Sequence, residues 1–245
     1  MRGYYIAYLL CIEALPLAAG PQQQIQLTSY FEENRGQFAD LVRYAARTEQ
    51  GVLFLEAGGH TVMAGPSVIR YRLLGASSGA AIQGIDRLSA TGNYYIGNDS
   101  SRWRSSVPLF ERVEYADIYP GIRMVHYRGP DGHLEHDFVV SPGSDPSRIR
   151  FRIDAASLTL SPEGDLLAGP VTYRKPVAYQ ETGGERRTVE AAYLLGQDAI
   201  TFHLGAYDES LPLIIDPVVS LPVSHGGSDE DWAFGIQVDG ENNVL

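Results

Sequence analysis

The feature that most constrains this chain is an alternation of apolar and polar residues with a period of two. It recurs in short stretches between residues 52 and 215, separated by turns rich in glycine and proline. Successive side chains of a β-strand point to opposite faces, so the pattern indicates strands with one buried face. Only residues 38–47 approach a helical period. The predicted strands are 52–55, 68–74, 122–127, 133–140, 149–153, 158–160, 165–167, 189–195, 200–204 and 213–215.

Strands that recur at a spacing of about ten residues are typical of a sandwich. The chain is therefore predicted to be all-β, built as one or two antiparallel β-sandwiches. Two prolines within residues 141–146 would interrupt a ladder, which favours a division into two lobes near residue 141. Asp216-Pro217 and Leu221-Pro222 predict an extended connector, so the module is placed at residues 21–219.

The first twenty residues are typical of an export signal. Arg2 is followed by an apolar stretch at residues 4–12 and by Leu17-Ala18-Ala19-Gly20, a small-residue cleavage region. The stretch is too short for a transmembrane helix. Residues 1–20 are therefore predicted to be a cleaved signal peptide of a secreted or cell-surface protein, the alternative being a buried N-terminal strand. Cys11, the only cysteine, would leave with the signal.

The net charge of -11 argues against two classes of partner. Nucleic acids and anionic membranes are both bound through clustered positive charge, and this chain has an excess of carboxylates. Neither is expected as a partner.

The hairpin at residues 122–140 carries the densest polar group. If residues 129–132 form its turn, His126 lies opposite Glu135, and alternation places His133, Glu135 and Asp137 on the same face. Two imidazoles and two carboxylates there are candidates for binding a divalent metal, or for acid/base chemistry on a sugar. The alternative is a solvated polar face.

Two further groups are candidate ligand-binding residues. Asn34 and Arg35 lie in the motif Phe31-Glu-Glu-Asn-Arg-Gly-Gln37, which is either a ligand-reading loop or a structural turn. Trp103, between two arginines, is either a stacking platform for a sugar or a half-buried strand aromatic.

The acidic end of the chain is a candidate for a calcium site. Asp229, Asp231 and Asp239 supply the oxygen ligands that Ca²⁺ prefers, but their spacing does not match an EF-hand. A loop and an Asp-Gly hairpin turn explain them as well. No other cofactor is expected, and the common hydrolase, zincin, P-loop and Rossmann motifs are missing from the sequence.

Several short motifs appear together in one order along the chain. They are Phe31-Glu-Glu-Asn-Arg-Gly-Gln37, Asn93-Tyr-Tyr-Ile-Gly97 with Trp103, Tyr119-Pro-Gly121, Leu134-Glu-His-Asp-Phe138, Pro142-Gly143, Tyr179-Gln180 and Leu213-Ile-Ile-Asp-Pro217. Residues 31–219 with these motifs resemble the DUF7948-like N-terminal domain that precedes SBBP-type β-propeller repeats in bacterial surface and secreted proteins. Residues 220–245 are similar to the opening of one such repeat. The resemblance implies an all-β module followed by a truncated first propeller blade, with more of the propeller beyond it.

The function expected from these observations is non-catalytic. The module would precede and cap the propeller and could adhere to a glycan or a surface protein, since the open edge of a repeat array needs covering. The alternative is a carbohydrate-active or metal-dependent hydrolase that uses the hairpin at residues 122–140.

Overall fold

A computed structural model describes residues 30–48, 51–129 and 132–220, and this part of the chain is all-β. It contains two single-turn 3-10 helices, Ser100–Arg102 and Pro146–Arg148, and no α-helix. The strands are β1 (Phe31–Glu33), β2 (Val42–Thr48), β3 (Gly51–Glu56), β4 (Gly59–Ala64), β5 (Ser67–Leu73), β6 (Ala81–Tyr94), β7 (Arg104–Tyr119), β8 (Ile122–Arg128), β9 (Leu134–Val140), β10 (Phe151–Asp154), β11 (Leu158–Leu160), β12 (Leu166–Ala168), β13 (Val171–Tyr173), β14 (Val177–Thr182), β15 (Glu185–Val189), β16 (Ala191–Leu195), β17 (Ile200–Leu204), β18 (Leu213–Asp216) and β19 (Val218–Ser220).

All strand pairs in this part are antiparallel, and they form one branched sheet. The long strand β7 pairs with β6 along one edge and divides its other edge between β1 and β8. From β1 a first arm runs through β2, β3, β4, β5, β10 and β17 to β16. From β8 a second arm runs to β9 and there divides. One branch passes through β18 and β14 to β15, and the other through β19, β13 and β12 to β11.

The alternation of the sequence decides which face of β7 is buried. Val113 and Tyr115 point into the core while Glu114 between them is partly exposed. The pairing with β8 shifts between Tyr115 and Tyr119, and Asp117 in this interval has φ 49°. This irregularity lets both Ile118 and Tyr119 be buried.

The sheet curls so that its two arms face each other across the main apolar core. This cluster of buried side chains extends from Phe31 to Val219 and includes the largest fully buried rings, Phe31, Tyr71, Tyr115, Tyr173, Phe138 and Phe151. A second, smaller cluster contains Val42, Ala45 and Phe54. Tyrosine hydroxyls tie parts of the sheet together. Tyr115 donates to the carbonyls of Glu56 and Gly59 at 3.0 and 3.1 Å, and Tyr119 to those of Leu74 and Arg150 at 3.1 and 3.0 Å.

The prediction of an all-β fold is confirmed for the described residues, which form one curled antiparallel sheet in place of the predicted sandwich. Residues 38–47, the nearest approach to a helical period, contribute instead to β2. Strands β1, β4, β6, β7, β13, β14, β15 and β19 were not predicted. The truncated blade at residues 220–245 lies outside the described residues apart from Ser220.

Strands that precede residue 141 pair with strands that follow it. β5 from the first part of the chain pairs with β10 from the second, and β9 pairs with both β18 and β19. A division into two lobes near residue 141 would therefore break ladders within one sheet. No helix in the described ranges is long and apolar enough to cross a membrane.

Candidate functional site

The β8–β9 hairpin has a register one residue away from the predicted one. The amide of Gly129 donates to the carbonyl of His133 at 2.9 Å, so the turn includes His133, and Arg128 pairs with Leu134. His126 therefore lies opposite His136, and Glu135 lies opposite Tyr127. The predicted cross-strand pair of His126 with Glu135 is therefore wrong, and the slip of one residue places His126 on the opposite face from Asp137.

The inward face of the hairpin presents a cluster of three fully buried histidines. His126 and His136 stack with ring centroids 5.3 Å apart, and His60 from β4 packs edge-on against both, at 5.4 and 5.6 Å. Nε2 of His126 lies 3.4 Å from Nδ1 of His60, a contact that needs a proton on one of the two nitrogens. Tyr71 stacks on His60 at 4.6 Å.

Burial keeps these imidazoles neutral. Desolvation lowers the pKa of His136 to about 3, and it lowers the pKa values of His60 and His126 well below the ordinary value, with a further lowering from the neighbouring histidine. Nε2 of His60, Nδ1 of His126 and both ring nitrogens of His136 have no hydrogen-bond partner among the described residues. The cavity beside them, about 10 Å³, is close to the volume of one water probe.

The outward face of the same hairpin carries carboxylates. Asp137 accepts a hydrogen bond from the Tyr127 hydroxyl at 2.9 Å and lies near Asp216 of β18. Burial raises the pKa of Asp137 to about 7, and the charges of Asp216 and Glu135 raise it further. Burial also raises the pKa of Asp216 to about 6, with Glu135 adding to the shift and Arg186 opposing it.

This arrangement separates Asp137 from the histidines that the hydrolase alternative groups with it. Asp137 shares its face with Tyr127, whereas His126 and His136 stack within the core. Glu135 is almost fully buried and borders the small histidine cavity, and His133 lies in the turn. Within the described ranges, no group of three or more His, Cys, Asp or Glu side chains is placed to hold a metal ion.

The motif at residues 31–37 consists of β1 and the loop after it, and its polar side chains stabilise that loop. The Asn34 side-chain amide donates to the carbonyls of Ala39 and Val42 at 2.9 and 2.8 Å, and its oxygen accepts from the amides of Gly36 and Phe38. The Arg35 side chain is exposed and pairs with Glu33 at 2.9 Å.

A polar cleft of about 360 Å³ borders this loop. Its lining includes Asn34, Glu33 and Tyr44, and these side chains already bond within the protein. The Tyr44 hydroxyl, for instance, accepts from the amide of Gly84 at 2.8 Å. The polar groups of Asn34 therefore hold the loop together.

Trp103 lies at the end of the loop between β6 and β7 and is 41% exposed. Its indole packs edge-to-face against Tyr95 at 5.5 Å, and Nε1 donates to the carbonyl of Gly97 at 3.2 Å. Arg104 donates to the carbonyl of Arg35 at 2.7 Å and so braces this loop against the one after β1. Trp103 is thus a held, exposed aromatic and lies outside the strands.

A family model described as a domain of unknown function, DUF7948, matches residues 31–218. The chain belongs to this family. No curated protein and no solved structure matches the sequence. The match begins with β1 and ends at Val218, the first residue of β19, so the DUF7948 domain corresponds to the curled sheet.

The remaining predicted site residues of this DUF7948 chain, Asp229, Asp231 and Asp239, lie outside the described residues, as do the export signal and Cys11. The calcium site therefore stays a prediction.

Sequence reasoning missed several buried polar residues of the DUF7948 domain. His60 lies in an apolar run between Gly58-Gly59 and Gly65-Pro66, whose length and boundaries indicate a strand, but its contact with the hairpin is long-range. Glu32 is buried on β1, where its carboxylate pairs with Arg47 at 3.3 Å and accepts from the Tyr94 hydroxyl. Gln180 is buried and donates to the carbonyl of Asp208 at 2.7 Å.

Proposed function

We propose that this DUF7948 domain is a non-catalytic structural and binding module of a secreted or cell-surface protein, which holds and caps the β-propeller expected to follow it. The observation that carries the proposal is the position of β19. This strand, the last one described, directly precedes residues 221–245 in the sequence. It pairs with a neighbouring strand on each of its two edges. A connector held in this way fixes where the next domain begins.

Strand β19 is held from both sides. Val219 pairs with Leu134 of β9 on one edge and with Tyr173 of β13 on the other, and its side chain is buried. The Arg174 amide donates to the carbonyl of Val218 at 2.9 Å, and its guanidinium donates to the Ser220 hydroxyl at 3.0 Å. A flexible linker would lack these contacts, so a rigid junction is the function they support.

The test is a distance measurement between the module and the following domain in the full-length protein. Spin labels at an exposed site of β15 and on the propeller should give a narrow distance distribution. Val219→Asp, which places a charge in the core, should release β19, broaden the distribution and expose the junction to protease. Val219→Ala should do so more weakly, without the risk of unfolding the sheet.

The matched control is Val177→Asp, because Val177 is 51% exposed on β14 and should tolerate a charge. A broad distance distribution in the unchanged protein would contradict the rigid junction. So would equal effects of the substitutions at residues 177 and 219.

One observation favours the hydrolase alternative. A carboxyl with a pKa of about 7, as at Asp137, suits a general acid near neutral pH. The double variant Glu135→Gln, Asp137→Asn tests it against a panel of glycans. Turnover by the unchanged protein that is lost in the variant would establish the enzyme, and no turnover by either would exclude it for the panel.

A further inference from the structure

The loop between β6 and β7 concentrates exposed apolar surface at one place. The described residues include eight large hydrophobic side chains that are exposed, and three of them, Tyr95 (63%), Ile96 (47%) and Trp103 (41%), lie in this loop. The other five are distributed over β11, β12, β14 and β16. A cluster of exposed apolar side chains marks a candidate binding site, because a ligand that covers it removes apolar surface from water.

The loop is held in shape by its own hydrogen bonds. The Asp99 carboxylate accepts from the amide and hydroxyl of Ser101 at 3.0 and 2.7 Å. Arg104 donates to the carbonyls of Ser101 and Trp103, both at 2.9 Å. With the indole N–H bonded to Gly97, the Trp103 ring has a fixed position before any ligand arrives, which lowers the entropic cost of binding.

The exposed area fits a small ligand better than a protein. Aromatic side chains have about 150–250 Å² each, so the exposed fractions of Tyr95 and Trp103, with a smaller share from Ile96, leave roughly 300 Å². A stable protein interface needs roughly 800 Å² from each partner. The surface is therefore of the size that one or two sugar rings cover.

The chemistry around the rings also matches a saccharide. Tyr95 and Trp103 stand at an interplanar angle of 79°, which forms an open corner of two apolar surfaces. The exposed side chains of Asn98 and Arg102 lie in the same loop and offer donors and an amide acceptor to hydroxyl groups. An apolar face bordered by polar groups is complementary to a pyranose ring, which has C–H faces and a rim of hydroxyls.

We propose that Tyr95 and Trp103 form a binding site for a pyranose ring of a neutral saccharide. The site specifies the ligand of the binding module in the proposed function and is separate from the junction at β19. The capping role and the saccharide site can therefore fail independently.

Intrinsic fluorescence tests the site directly, because the chain has only two tryptophans, Trp103 and Trp232. In a Trp232→Phe background, Trp103 is the sole indole reporter. Titration with oligosaccharides of β-1,4-linked glucose, mannose and N-acetylglucosamine should give a saturable change with a millimolar or lower Kd for at least one. Tyr95→Ala should weaken binding of that saccharide about tenfold, the effect of losing about 1.4 kcal/mol of contact.

Calorimetry on Trp103→Ala, which lacks the reporter, should show loss of binding with an unchanged circular dichroism spectrum. The control is Leu194→Ala, which removes a side chain that is 51% exposed on β16 and should leave the Kd unchanged. No saturable binding to any of the three saccharides up to about 10 mM, roughly the weakest affinity such a contact would give, would overturn the proposal. Binding that survives both aromatic substitutions would overturn it as well.

Discussion

At the scale of single residues, the burial of His136 makes the stability of the domain depend on pH. Burial holds the folded-state pKa of His136 near 3, below the value of about 6.5 for an exposed histidine. The unfolded chain therefore binds more protons between these two pH values. The contribution of His136 to the free energy of unfolding is complete above about pH 6.5 and is lost as the pH falls toward 3.

His136→Phe should remove this dependence. Neither ring nitrogen of His136 has a hydrogen-bond partner among the described residues, so an apolar ring of similar shape loses no bond. Between pH 6 and 4 the free energy of unfolding should fall less steeply in the variant than in the unchanged protein. The two slopes should differ by about 1.4 kcal/mol per pH unit. Urea unfolding at several pH values measures the slope. His203→Phe, at an exposed position of β17, is the control and should leave it unchanged.

Asp137 has the opposite dependence. Its folded-state pKa of about 7 lies above the unfolded value of about 3.9, so its contribution to stability is complete below pH 4 and is lost as the pH rises through 7. Asp137→Asn should therefore raise the free energy of unfolding at pH 8 by about 1–3 kcal/mol and have little effect at pH 4. Asp154→Asn, which breaks an exposed pair with Arg72, should change stability by less than about 1 kcal/mol. A variant that is less stable at pH 8 would contradict the assignment.

At the scale of elements, the β6–β7 ladder depends on a glycine. A Cβ at Gly84 would lie 2.3 Å from Cγ of Phe110, whose ring packs against Tyr44 at 5.8 Å. Gly84→Ala should displace this ring and lower the free energy of unfolding by about 1–3 kcal/mol, measured by urea denaturation. Gly92→Ala on the same strand is the matched control, since its nearest neighbour would be at 3.7 Å and little should change. Equal effects at the two glycines would rule out the steric explanation.

The same scale shows how far the sequence predicts this fold. Local alternation located strands such as β3, β5, β8 and β17, because the pattern depends only on which face is buried. The partner of His126 was predicted wrongly because one extra residue in the turn shifts the register of β9 against β8, whereas the predicted placing of Glu135 and Asp137 on one face of β9 agrees with the pairing. The contact between His60 and His126 joins strands 66 residues apart, and no local pattern contains it.

At the scale of the whole molecule, interleaved pairing predicts one cooperative unfolding transition. Ile122 of β8 and Ile215 of β18 lie on opposite sides of residue 141, and both are fully buried in one core. Ile122→Ala and Ile215→Ala should each lower the midpoint of the same transition, at a cost of about 2–5 kcal/mol. Circular dichroism and fluorescence should give coincident curves. Val177→Ala, at an exposed position, should have little effect, and two separate transitions would indicate two lobes.

The pairing of β19 with β9 and β13 also affects when the domain can fold during synthesis. The ladder on the outer edge of β9 stays incomplete until residue 220 has left the ribosome, because β18 and β19 are its last two partners. Strand pairs distant in sequence form slowly, so this domain should remain unfolded until its residues up to 220 have emerged. Residues 1–20 predict export. In an exported protein, this delay would keep the chain unfolded while it passes through a translocation pore.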